Sequence, residues 1–362
     1  MTTRRDFIKA AGASGIVFCG CAMRDVARSQ GSDGQRLPVT VNGKRIKTID
    51  VHAHCHFHEA LALMGDEAGR VMPRVKGAME HFIIIEERLK GMDAQAIDME
   101  VLSINPFWYR KDRDTAAKIV ELQNEKLAAL CASRPDRFAA FASLALQYPD
   151  LAVRQLETAV KKQGLRGAAI GGSVLGEEFS DPKFHPVWAK AEELGAVLFI
   201  HPQSTPELAR RFKGNGWLSN TIGNPLDTTI ALQHLIFEGT LDRFPGLKII
   251  AAHGGGYLGS YAARGDHACF VAPQNCNPHM KLKKPPSDYL KQLYFDALVF
   301  TPEALRHLVA QVGASQVVIG SDHPIPWEQH PVDHVFATTT LSDEDKIAIL
   351  GGNAARLFGM QG

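Results

Sequence analysis

Five side chains have types and positions that could assemble a metal-assisted or acid–base site: His52, His54, His201, His253 and Asp322. The run Ile49-Asp50-Val51-His52-Ala53-His54 reads as the end of a strand, where alternation turns His52 and His54 to one face. A lone H-x-H pair means little. Here it has company: Phe199-Ile200-His201, Ala252-His253 and Gly320-Ser321-Asp322 each put a further imidazole or carboxylate at the carboxyl end of a short apolar run. Core histidines placed by chance have no reason to choose that end. Imidazole nitrogen and carboxylate oxygen are borderline-to-hard donors that suit zinc first, and manganese or iron as well. An ion held by three or four of them keeps a position for water or substrate, so the expected site is catalytic.

Such a site needs strands that bring these ends together. From Arg45 onward, short apolar runs alternate with stretches of helical periodicity, the pattern of βαβ units around a parallel sheet. The expected strands are Ile46–Val51, Met99–Ile104, Phe138–Leu144, Gly167–Ile170, Ala196–Ile200, Lys248–Ala252, Leu293–Ala297 and Gln316–Gly320. Helices between them carry their own punctuation: Asp181-Pro182 to Gly195, Thr301-Pro302 to Gly313, a capping box at Ser342, and an apolar face along Asp114–Cys131. About eight strands alternating with helices predict a closed α/β fold, a (β/α)8 TIM barrel. No G-x-G-x-x-G follows the first strand, which argues against dinucleotide binding. Three segments exceed what a barrel needs, Cys55–Met92, Gln203–Leu226 and Tyr257–Ser287; all follow strands and are expected to build a substrate pocket at the carboxyl-terminal mouth.

Composition narrows the partners. With 40 Lys plus Arg against 39 Asp plus Glu, the net charge of +1 provides no basic field for nucleic acid or anionic lipid. The hydrophobic share of 45% supports a sizeable core and excludes a disordered chain. Six cysteines without a C-x-x-C pair make neither a disulfide scaffold nor a zinc ribbon. Cys55, Cys131, Cys269 and Cys276 read by default as isolated buried thiols, with Cys269–Cys276 as the locally feasible bridge.

The set His52-x-His54, His201, His253-Gly-Gly-Gly and Gly320-Ser-Asp322 resembles the amidohydrolase superfamily, in the branch that contains 2-amino-3-carboxymuconate-6-semialdehyde decarboxylase and resorcylate-type decarboxylases. Gly91-Met92-Asp93-Ala94-Gln95, Phe244-Pro245-Gly246-Leu247-Lys248 and Gly352-Asn353-Ala354 support it, and the resemblance runs from about Thr48 to Phe358. It implies a barrel of the metal-dependent hydrolase type with one divalent metal held by His52, His54, His201 and Asp322. His253 would be the general base or acid, and Asp322 can share in proton transfer. The fourth strand, Gly167-Ala168-Ala169-Ile170, carries no bridging lysine or glutamate, which disfavours a binuclear hydrolase. No acid follows His201-Pro202-Gln203-Ser204, which disfavours deamination. The resemblance implies a carboxy-lyase acting on a small planar unsaturated or aromatic carboxylate. The alternative is hydrolysis of a lactone, ester or amide, or hydration, at the same mononuclear site; a non-catalytic binding protein would not need His253. A homodimer is a further implication.

The chain departs from the branch at His323-Pro324, where many relatives have Tyr-Pro, and adds His56 and His58, read here as hydrogen-bonding residues rather than ligands. Arg264 is a candidate to hold a substrate carboxylate, and Trp217 and Phe107 are candidates to stack a planar ring. Arg74 and Lys76 lie in the first long loop and could meet an acid.

The amino terminus reads as an address. Arg4-Arg5-x-Phe7-Ile8-Lys9 followed by the weakly apolar run Ala10–Ala22 resembles a twin-arginine export signal, too short to span a bilayer. It implies the twin-arginine machinery as a partner and a periplasmic location, with cleavage after Ala22; a lipid anchor at Cys21 is a weaker reading. The expected organisation is a signal peptide and start of linker over 1–30, a linker over 31–44 and one barrel domain over 45–362.

Overall fold

The structure, a computed structural model, describes residues 38–65, 82 and 84–360. The expected export signal, Arg74 and Lys76 lie outside the described residues. Ten strands occur among them: β1 (Val39–Val41), β2 (Lys44–Ile46), β3 (Ile49–His54), β4 (Met99–Ser103), β5 (Phe138–Ala140), β6 (Gly167–Ile170), β7 (Val197–Ile200), β8 (Lys248–Ala251), β9 (Leu293–Asp296) and β10 (Val317–Val318). β3, β4 and β5 pair in parallel, as do β6 through β10 in sequence order. Parallel bridges Ala142–Ala168 and Asp50–Ile319 join the two sheets at both edges, so the eight strands close into a (β/α)8 barrel.

β1 and β2 correct the expected organisation, because part of the 31–44 linker is folded. Val39, Val41 and Ile46 are buried in the barrel's outer core, and Asn42 and Gly43 turn between them with φ of 50° and 73°. Asn-Gly between alternating apolar residues is a strong hairpin signal, since both turn residues tolerate positive φ. The hairpin takes Ile46, and the first barrel strand accordingly begins at Ile49 rather than Ile46. β5 and β10 are shorter than expected, and the chain beyond them continues as bridges and loops.

Ile49, Val51, Val101, Phe141, Ala169, Phe199, Ile250 and Val318 pack together inside the barrel, while Leu102, Ile170, Leu198 and Ile249 pack outward under the helices. Phe358, on the last helix, contacts Phe141 at 5.7 Å and helps close the interior. Helix ends follow the sequence punctuation: Thr301 caps Pro302–Val312, Ser342 and Asp345 form a capping box, and Gly195 stops His185–Leu194 at φ 60°. Among the described residues no helix is long and apolar enough to cross a membrane.

Candidate metal centre

β3 carries two ligand candidates because its register on β4 shifts between Asp50 and Ala53. Below the shift Ile49 and Val51 face the interior; above it Ala53 belongs to the outer core, and His52 and His54 turn inward. A strict period of two from Ile49 would have pointed both imidazoles at the helices. His201 follows β7, and Asp322 follows β10 with φ 64°.

The four side chains converge. His52 Nε2 and His54 Nε2 are 3.2 Å apart, as are His54 Nε2 and His201 Nε2, and Asp322 Oδ1 lies 2.8 Å from His54 Nε2 and 3.1 Å from His52 Nε2. One donor atom from each residue falls within 4.8 Å of all the others, and all four residues are buried. Donors about 2.0–2.2 Å from a shared ion stand roughly 3 Å from one another, so the spacing fits one coordinated cation. Protons satisfy the cluster poorly. Burial lowers the His52 imidazole, but the Asp322 and Asp296 carboxylates outweigh it and raise the group to about 10. Burial holds His54 down, and burial with three neighbouring imidazoles holds His201 well down. Burial works against ionised Asp322, but His52 and the hydrogen bonds around it keep the carboxyl well below its usual range.

Buried partners fix the ligands' rings. His52 Nδ1 donates to Asp296 Oδ2 at 2.7 Å, and His54 Nδ1 pairs with Ser103 Oγ at 3.0 Å. With Nδ1 engaged, Nε2 is left to face the ion. Asp296 also accepts the backbone N–H groups of His253 (3.0 Å), Gly254 (2.8 Å) and Leu298 (3.2 Å), tying the ligand His52 to the start of the His253 loop. Asp50 accepts the His52 N–H at 2.9 Å and the Ser321 hydroxyl; burial, helped by Glu100, pushes its carboxyl up to about 7. Glu100 pairs with Arg88 at 2.7 Å and with His323, while Arg88 donates to the His54 carbonyl. The departure His323-Pro324 therefore places an imidazole on Glu100.

Asp50, Ser103, Glu100 and Asp296 were not anticipated. A charged residue inside an otherwise apolar barrel strand was the available signal for three of them, since such a group is buried only when partnered. Arg88 lies on the helix Ile85–Ala94, and nothing in its spacing marks it.

His253, at φ 57°, starts the loop after β8, with its Nε2 4.0 Å from Asp322 Oδ2 and its ring 5.3 Å from that of His201. It lines a cavity of about 340 Å³ with Tyr257, Leu298 and Phe300. His54, His201 and Asp322 line an adjoining cavity of about 250 Å³ with Phe82, Asn105, Phe107, Gln203 and Trp217. Asn220, Asn224 and Trp327 border both. Phe107 and Trp217 thus stand at the cavity wall, Trp217 stacked on Trp327 at 5.7 Å.

Arg264 stands apart from the metal cluster in the single chain. It is exposed on the helix Leu258–Val271 and lines a separate groove with Cys269, Cys276 and Met280, because more than one helical turn carries it away from His253. The segment Tyr257–Ser287 likewise contributes only Tyr257 to these two cavities; residues after β4 and β10 supply wall in its place. Cys269 and Cys276 form a disulfide, correcting the default reading as thiols, whereas Cys55 and Cys131 are free. His58 is exposed, and His56 is buried with its imidazole pushed down to about 3 by burial.

Similarity to known proteins agrees with this geometry. The chain is 30% identical to 2-amino-3-carboxymuconate-6-semialdehyde decarboxylase of Dictyostelium discoideum, over 75% of this chain and 76% of that protein. It is 32% identical to gamma-resorcylate decarboxylase of Rhizobium radiobacter, over 82% and 94% of the two chains. The crystal structure of a dihydroxybenzoic acid decarboxylase from Polaromonas, with bound manganese and the inhibitor 2-nitroresorcinol, superposes with a TM-score of 0.76 at 28% identity, covering 87% of this chain and 97% of that one. The profile of the amidohydrolase family matches residues 49–360, which spans every strand of the barrel and all five residues singled out by their chemistry, and the chain belongs to that family.

Proposed function

We propose that this protein is a mononuclear metal-dependent carboxy-lyase that removes carbon dioxide from a small planar unsaturated or aromatic carboxylate. The observation that carries the reading is the buried His52–His54–His201–Asp322 cluster, open to a cavity walled by aromatic and amide side chains. His52, His54, His201 and Asp322 are the proposed ligands of zinc, manganese or iron; the manganese in the Polaromonas relative supports including that ion. When bound, such an ion supplies a Lewis acid for the substrate carboxylate or a neighbouring oxygen.

The residues of the chain perform the remaining work. Phe107 and Trp217 exclude water and confine a planar ring. His253 or Asp322 delivers a proton to the carbon that bears the carboxylate. The carbon–carbon bond then breaks, its electron pair returns to the ring, and carbon dioxide leaves, so one proton replaces one carboxylate. His253 borders both cavities' junction through its proximity to Asp322, and it can take up the next proton there.

The test is carbon dioxide release from a panel of aromatic and unsaturated acids by metal-loaded protein. His253→Asn is expected to keep the metal and lose at least about a hundredfold in turnover. Full turnover in that variant, or water incorporated into the product of an ester or lactone, would overturn the reading.

Two further proposals concern context. The Arg4-Arg5 leader supports export by the twin-arginine route to the periplasm, with the barrel domain following a signal and linker. The Cys269–Cys276 disulfide supports it too, since such bonds persist outside reducing cytosol. A homodimer is supported by Tyr261, Phe270 and Val271, apolar side chains 61%, 86% and 75% exposed on one helix. Sedimentation of wild type against Phe270→Glu tests it: a dimer that survives the substitution counts against this surface.

A further inference from the structure

His253 and the metal cluster open into different spaces. His54, His201 and Asp322 line the cavity of about 250 Å³, whereas His253 lines the one of about 340 Å³, its Nε2 4.0 Å from Asp322 Oδ2. Asn220, Asn224 and Trp327 line both, so the two spaces meet along a shared wall. That wall has a local cause. The π-helical turn Ser219–Gly223 runs into the helix Asn224–Phe237 and sets Asn220 and Asn224 one turn apart on the same side. Trp327 is held by two other mouth loops: Trp217 stacks on it at 5.7 Å, and Phe300 meets it edge-on at 6.2 Å. Of the two cavities Trp217 lines only the first and Phe300 only the second.

The second cavity is larger than a proton transfer needs. A dry cavity of about 150 Å³ holds benzene, so the first takes the carboxylated ring and the second has room for another group of that size. Pro225, Tyr257, Leu298, Val299 and Phe300 make much of its lining apolar, and among the described residues no lysine, arginine, aspartate or glutamate contributes to it. We propose that this cavity is a subsite for an uncharged apolar arm of the substrate, which makes the substrate class an aromatic acid bearing a ring-sized apolar substituent. The inference rests on the carboxy-lyase reading of the same site. A ring seated in the first cavity within reach of His253 lies at the junction, so a substituent on its His253 side enters the second. A charged arm would lose its hydration there without gaining an ionic partner, whereas an apolar arm gains by leaving water.

The test is calorimetric binding to the manganese-loaded full protein, which requires no turnover. The probes are benzoate, the 2-, 3- and 4-phenylbenzoates, and isophthalate and terephthalate, in which a second carboxylate replaces the phenyl arm. At least one phenylbenzoate is expected to bind at least about tenfold more tightly than benzoate, the scale of burying one aromatic side chain, and neither dicarboxylate to share the gain. Thr221→Trp places an indole at the second cavity and Phe300→Ala removes one of its walls; both positions are exposed and neither lines the first cavity. The ratio of phenylbenzoate to benzoate affinity is expected to fall toward one in Thr221→Trp and by at least about threefold in Phe300→Ala. Thermal unfolding of each variant identifies any that fails to fold, and the other then carries the test. A ratio preserved in whichever variants fold, an equal loss for benzoate and phenylbenzoate, a gain matched by the dicarboxylates, or no preference in wild type would overturn the proposal. Failure of the carboxy-lyase reading is distinguishable: phenylbenzoates would then bind with the preference intact, and no acid would release carbon dioxide.

Discussion

Replacing Asp296 by asparagine changes one atom and should disable the metal centre. Asp296 is buried and takes four hydrogen bonds: Oδ2 from His52 Nδ1 and the His253 N–H, Oδ1 from the N–H groups of Gly254 and Leu298. An amide turned either way sets its NH2 against two donors. Each orphaned N–H costs about 1–3 kcal/mol, and the cheapest relief is for His52 to move its proton from Nδ1 to Nε2. That tautomer turns an N–H toward the ion and removes a ligand. The expected loss in metal affinity is about ten- to a hundredfold, or roughly 1.4–2.7 kcal/mol, with about 1–3 kcal/mol lost from folding stability. Competition for manganese with a fluorescent chelator measures the first, and denaturant unfolding of the metal-free protein the second. Affinity within about twofold of wild type would refute the argument that Asp296 sets the His52 tautomer.

Three further outcomes follow from buried groups. Arg88→Met leaves Glu100 buried between barrel and helix without its guanidinium partner and should cost about 3–5 kcal/mol in denaturant unfolding, while adding Glu100→Gln should recover much of that loss. Asp227 is pushed up to about 7 from 3.8 by burial, so between about pH 4 and 7 the unfolded chain sheds a proton that the folded protein keeps, and stability falls as pH rises through that window. Asp227→Asn removes the penalty: its thermal midpoint should match wild type near pH 4 and exceed it by pH 8, with no more than ~4 kcal/mol gained, and a constant offset across pH would contradict this. Gly320→Ala would place a Cβ 2.6 Å from Asp296 Cβ and 2.9 Å from His52 Cβ, so manganese affinity should fall at least about tenfold; an unchanged value in the chelator competition would show that the chain after β10 yields freely.

The barrel and its metal face are legible in the chain because both depend on short-range regularities. Apolar runs with helices between them predict parallel strands, and a polar group at the end of a run predicts the mouth, which locates His52, His54, His201 and Asp322 without any tertiary information. Even so, His52 and His54 face inward only through the register shift after Asp50, which pattern alone does not reveal. What supports the ligands is long-range: Asp296 meets His52 across 244 residues, and Arg88 comes from a helix to pair with Glu100 on a strand. The place of Arg264 is not legible from its closeness in sequence to His253, because the helix Leu258–Val271 carries it to a separate groove. The Asn42-Gly43 hairpin is the opposite case, a local signal carried by the two turn residues themselves.

A single ion in the four-ligand cluster is proposed to sustain decarboxylation. Its most direct test is titration of metal-depleted protein with manganese while carbon dioxide release from an aromatic acid of the substrate panel is recorded. Activity is expected to rise linearly and break at about one equivalent per chain, with no such rise in Asp322→Ala. A break at two equivalents, or metal uptake that restores hydrolysis of an ester or lactone without carbon dioxide, would contradict it.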